Sequence, residues 1–219
     1  MDEGTRQAPP PTLAEMGRAG GTSMPSAGPD GAHSKGWFLS ALSAPDERTD
    51  GWHRTWQWIV AAAVALVLGW LTYTREGWVP ILSSFDLGVH EFGHLLTMWA
   101  PDLVVWPAGS FLQVAAPLGL AAYFLYRRDR FAVVLMVAWA AESLHNVSVY
   151  VSDAQAMVLP LFGDDGSGAG HDWHNILGRL NLLESTDAVA RVIQLGSVLL
   201  FVAALGLAAW WFVRARQSD

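Results

Sequence analysis

Five apolar stretches, each close to the length that crosses a bilayer, leave this chain few ways to fold. The first, WQWIVAAAVALVLGWLTY at 56–73, has Gln57 as its only strongly polar side chain. The others run over 78–99, 105–126, 131–151 and 188–213. About 20 apolar residues are needed for a helix to span the hydrocarbon core. Composition agrees: 52% of the residues are hydrophobic and 15% are charged, against roughly 25% charged in a soluble domain. The expectation is an all-α, polytopic membrane helix bundle of about five spanning helices.

Residues 1–55 are unlike the rest. They hold six of the eleven Pro, with many Gly and Ser and few large apolar side chains, the composition of a disordered polar tail. They lack the basic start and apolar core of a secretory signal. The integral-membrane domain is expected over 56–213, interrupted by a Gly- and Asp-rich loop at 152–187 that includes a short interfacial helix. Residues 214–219 form a short tail. The basic clusters Arg127-Arg128-Asp129-Arg130 and Arg214-Ala215-Arg216 place their loop and the C-terminus in the cytoplasm by the positive-inside rule, at a plasma (inner) membrane. Five crossings then put the N-terminal tail outside, a count that changes if the second stretch dips into the bilayer without crossing it. The net charge of −7 offers no basic footprint and argues against nucleic acid as a partner. No repeat of 20–50 residues is visible, nor the inverted halves of many transporters.

The second stretch carries Asp86 and His90-Glu91-Phe92-Gly93-His94 in its body. With seven His and seven Glu in 219 residues, a chance HExxH is on the order of 1%. On a helix, positions i and i+4 share a face, so both imidazoles can reach one metal ion. Glu91, beside the first ligand, is placed to act as base toward metal-bound water. Charged groups inside a span are costly, by roughly 2.5–3.5 kcal/mol on the insertion scale, and point to function. The chain has no Cys, which leaves His and carboxylates as ligands and excludes thiol chemistry. One Zn²⁺ ion is the expected cofactor, although imidazole and carboxylate donors suit other transition metals as well.

A catalytic zinc usually has three protein ligands and a water. Glu142, Asn146, Tyr150 and Asp153 recur at helical spacing along the fourth stretch, and Asp153 at its end is the first choice for the third ligand. Asp172, in the loop run His171-Asp172-Trp173-His174, is the second, with His171 or His174 behind it. Three residues are expected to support the site: Asp86, one turn before His90 and suited to orient an imidazole or to cap the helix; Gln113 in the third stretch; and Asn146. Gly109 suits close helix packing.

The segments HEFGH (90–94), GSFLQVAAPL (109–118) and NVSVYVSDA (146–154) resemble the site-2 protease family of intramembrane zinc metalloproteases. The resemblance covers residues 81–160 and implies metal ligation by His90, His94 and Asp153, with Glu91 catalytic and Asn146 ahead of the acidic ligand. The chain has Asp153-Ala154 where that family has Asp-Gly, and no Pro between Asn146 and Asp153. It implies a metalloendopeptidase that hydrolyses peptide bonds of transmembrane protein or peptide substrates within the lipid bilayer, with loop 152–187 as a gate. Two alternatives stand beside it: a metal-dependent membrane hydrolase of a lipid or small amide or ester, and a non-catalytic metal-binding or transport protein.

Overall fold

A computed structural model describes residues 53–75, 77–159 and 170–217, all within one compact unit, Ala41–Asp219. The tail expected at 1–55 lies outside the described residues except for 53–55, which begin a helix, and so does most of the Gly/Asp-rich run at 163–170. The order is α1 (His53–Thr74), α2 (Leu82–Thr97), α3 (Asp102–Tyr126), α4 (Arg130–Ser152), α5 (Asp172–Arg179), a 3-10 turn (Leu183–Ser185) and α6 (Thr186–Gln217). The expected all-α bundle is what forms. Helices α1, α3, α4 and α6 are long and apolar enough to cross a membrane, and the outward faces of α1, α3 and α6 carry exposed apolar side chains such as Leu66, Trp70, Phe111, Val192 and Leu199. The chain is an integral, multi-pass membrane protein.

Helix α4 is the hub. It packs against α1, α3 and α6 and touches α2 and α5, and 56% of its apolar window is buried, against 22% in each of the other three long helices. The sequence explains this. Ala138, Ala140, Ala141, Ser143 and Ser148 are small and buried, so neighbouring backbones approach closely, which is how helices associate where lipid removes the hydrophobic drive. Asp129 starts α4 as its N-cap, accepting a hydrogen bond from Ala132 N at 3.1 Å, a side-chain cap that stabilises a helix start.

Contacts along α4 fix the direction of each neighbour. At one end, Trp58 near the start of α1 meets Trp211 near the end of α6, with ring centroids 5.3 Å apart, and the Arg130 guanidinium lies 5.8 Å from the Trp211 ring. Further along, Tyr73 of α1 lies 4.5 Å from the His145 ring and bonds Ser197 of α6. Helix α1 therefore runs parallel to α4, and α6 returns antiparallel. Helix α2 does not return. Ser83 bonds Glu142 and Asp86 bonds Ser143, both midway along α4, whereas His90 meets Tyr150 near the far end. Both α1 and α2 thus point the same way, and the chain backs up between them through Gly77 and Ile81, both left-handed at φ 81° and 71°. At 16 residues α2 is about 24 Å long. The second stretch is a shorter helix that starts at mid-bundle. Four helices of crossing length are close to the five or so expected, and the start of α1 lies at the same end as the finish of α6, where five crossings would have put them at opposite ends.

Candidate metal centre

The 3.6-residue period places His90 and His94 on one face of α2, and their Nε2 atoms are 3.0 Å apart. Partners on the other ring nitrogens fix the orientation. His94 Nδ1 donates to the Val105 carbonyl at 2.9 Å, and His90 Nδ1 donates to Gln113 Oε1 at 3.3 Å. Both partners accept only, so in the neutral rings each Nε2 carries a lone pair. Asp172 Oδ2 approaches the same point, 3.4 Å from His90 Nε2 and 3.1 Å from His94 Nε2. The three donor atoms lie within 4.8 Å of one another. Three lone-pair atoms turned on one point repel each other unless a cation or an extra proton lies among them, so the donor set fits a divalent metal ion.

Asp172 reaches the pair because each of the first residues of α5, together with its N-cap, has an anchor. His171 caps the helix, its Nδ1 accepting from His174 N at 3.2 Å, and its Nε2 faces Asp153 Oδ2 at 3.3 Å. Trp173 Nε1 donates to Ser110 Oγ on α3 at 3.0 Å, and His174 Nδ1 donates to the Ala154 carbonyl at 2.8 Å. The Tyr150 hydroxyl accepts from Asp172 N at 3.1 Å and donates to Asp172 Oδ2 at 3.3 Å. Burial works against the charge of Asp172, but the His90 and His94 rings beside it outweigh that and hold its pKa below the ordinary carboxylate value. Burial lowers the pKa of His171, only partly offset by Asp153, which suits a neutral ring that accepts at one nitrogen and donates at the other.

Asp153, the first-ranked third ligand, is not brought to the imidazoles. Its carboxylate accepts from Val158 N and Leu159 N, both at 3.0 Å, and pairs with His171. It ends α4 as the C-cap residue and tethers α5, so the geometry gives its expected place to Asp172. His171 and His174 face Asp153 and Ala154 and do not join the donor group. Asp86 does not orient an imidazole or cap α2 either. It accepts from Trp139 Nε1 at 2.8 Å and Ser143 Oγ at 3.2 Å, because it projects toward α4 while Gln113 occupies His90 Nδ1. Gln113 and Asn146 form one chain from the site: Gln113 Nε2 donates to Asn146 Oδ1 at 3.3 Å and Asn146 Nδ2 donates to the Gly77 carbonyl at 3.2 Å.

Glycine makes room for the centre. A Cβ on Gly109 would lie 2.5 Å from His94 Nε2 and 2.6 Å from His90 Nε2, and one on Gly93 would lie 2.5 Å from the Ala108 carbonyl oxygen. The two residues let α2 and α3 cross closely and leave space beside the imidazoles. Glu91 is half-buried next to His90. Sequence reasoning gave no role in the site to Tyr150 or Trp173. The available signal was Tyr150 on the same helical stripe as Asn146.

Among curated proteins, an alpha-ketoglutarate permease of Bacillus subtilis (strain 168) is 25% identical over 209 residues, covering 82% of this chain and 44% of the permease. The chain thus spans less than half the length of that relative. No family model and no solved structure matches the chain. The similarity is to a permease rather than to a site-2 protease, and it overturns the family resemblance drawn from HEFGH and the two later segments. Short motifs of five to ten residues carried that resemblance, and a helical bundle can present such motifs on other scaffolds.

Proposed function

We propose that this membrane protein binds one divalent transition-metal ion, with Zn²⁺ as the first choice, through His90, His94 and Asp172, and that the centre is hydrolytic. The observation that carries the reading is the convergence of those three donor atoms, with Glu91 beside them. When bound, such an ion supplies Lewis acidity and acidifies water. The chain's own residues do the rest. Gln113 and the Val105 carbonyl hold the two rings in the tautomer that presents Nε2. Tyr150 steadies the Asp172 carboxylate. Glu91, which makes no hydrogen bond among the described residues, is available to take a proton. His94, with a side chain 21% exposed, leaves the centre open on one side, where water and a membrane-embedded substrate can enter. Substrates in keeping with this chemistry are a lipid, a small amide or ester, or a transmembrane peptide. The positive-inside rule supports a cytoplasmic C-terminus at a plasma (inner) membrane.

A second reading, non-catalytic metal binding or transport, is favoured by the similarity to a permease, which weighs against peptide hydrolysis. Here Glu91 serves as a further ligand. Glu91→Gln separates the two. Hydrolysis predicts stoichiometric metal in the purified variant, by elemental analysis, with loss of activity toward ester, amide and transmembrane-peptide substrates. Loss of the metal with the substitution favours transport.

A further inference from the structure

Helix α4 has a second polar face, turned away from the metal centre. His145, Ser148 and Ser152 on that face, with Asp187, Arg191 and Gln194 of α6, line a cavity of about 300 Å³, the lower end of the range for small-molecule sites. His145 is 5% exposed, and its Nδ1 has no hydrogen-bond partner. Beneath it the bundle is sealed: the Tyr73 ring lies 4.5 Å from the His145 ring, Tyr73 bonds Ser197 at 2.9 Å, and Ser197 donates to the Ala141 carbonyl at 2.6 Å. At the mouth, Asp187 and Arg191 are one turn apart on the same face of α6, and neither is held in an ion pair among the described residues. That nitrogen is closed off from the cavity, whose lining mixes the polar His145, Ser148, Ser152 and Gln194 with the apolar Val149 and Ala190.

We propose that this cavity binds a small zwitterionic head, an ammonium joined to a phosphate or carboxylate. Asp187 takes the ammonium. Arg191 and Gln194 take the anionic group, above a floor formed by His145 and Ser148. Mouth charges of both signs, one turn apart and uncommitted, complement a ligand with both charges better than a simple anion or cation. Two sources share this chemistry. One is a phosphatidylethanolamine headgroup, whose chains would lie along the lipid-facing Val192, Leu195 and Leu199, which are 68%, 62% and 68% exposed. The other is a free amino acid. Helix α4 stands between the cavity and the metal centre, so this inference does not depend on the metal.

The test uses the full chain in detergent. Native mass spectrometry compares retention of dioleoylphosphatidylethanolamine with dioleoylphosphatidylglycerol, and calorimetry measures phosphoethanolamine and L-serine. Preferential retention of the ethanolamine lipid, or heat from either solute, supports the proposal and names the source. Asp187→Asn and Arg191→Gln should each weaken that binding about tenfold, the loss expected for one charge-assisted hydrogen bond. Both positions are exposed, and circular dichroism checks that helicity is kept. Equal retention of the two lipids with no heat from the solutes overturns the proposal, as does binding indifferent to both substitutions.

Discussion

At the end of the bundle where α1 begins and α6 finishes, Trp58, Val133, Val134, Ala204, Ala208 and Trp211 form a continuous apolar cluster. At the opposite end, α2, α3, α4 and α5 meet through His90, His94, Gln113, Tyr150, Asp153 and the HDWH run, each tied by hydrogen bonds. The same four-crossing frame serves both. The apolar end fixes how the long helices stack, and its packing is independent of the donor atoms at the other end. The polar end holds only a small apolar cluster around Val147, Val151, Ala154, Leu177 and Ala190, so its geometry depends on specific donors and acceptors. Stability and chemistry are therefore separable by mutation.

The largest effect is expected from emptying the apolar end. Trp211→Ala should lower stability by roughly 3 kcal/mol, the lower end of the cost of vacating a buried Trp site, because lipid rather than water is the reference. Metal stoichiometry should stay unchanged, and thermal unfolding with elemental analysis reads both. Loss of metal in that variant would break the separation of the two ends. Next come the two acids. Asp172→Asn should weaken zinc binding by more than about 100-fold, and Asp153→Asn by about tenfold through a loosened α5. Competitive chelator titration orders them, and the reverse order would return the third ligand to Asp153. The smallest effect tests the space beside the rings. Gly109→Ala should weaken zinc binding about threefold, because its Cβ would press on both imidazoles. Gly88→Ala, on the same helix as the two histidines but with nothing within 4 Å of its Cβ, should leave binding unchanged.

Much of the fold was legible because it is local. Apolar runs of bilayer length must form helices, since backbone groups in lipid have no other partners. The paired imidazoles were legible for the same reason: the spacing from His90 to His94 is set within one helix. The direction of α2 was not legible. Its length and composition resemble a span, and only Ser83 and Asp86 meeting the middle of α4 reveal that the chain backed up after α1. The role of Asp153 was misread because helical spacing aligns it with Asn146 and Tyr150 but says nothing of the neighbour it meets. Trp173 and Tyr150 owe their roles to a loop of more than fifteen residues between α4 and α5, which covalent spacing does not constrain.

The amino-acid sequence by itself settled that this is a multi-pass helical membrane protein with two histidines on one helical face, because burial in lipid and the helical repeat act over a few residues at a time. The tertiary structure alone decided that Asp172 joins them, that Gly109 gives them room, and that α1 starts and α6 finishes at one end of the bundle. Those outcomes depend on how separate helices dock, and docking is set by the fit of side chains distant in the chain.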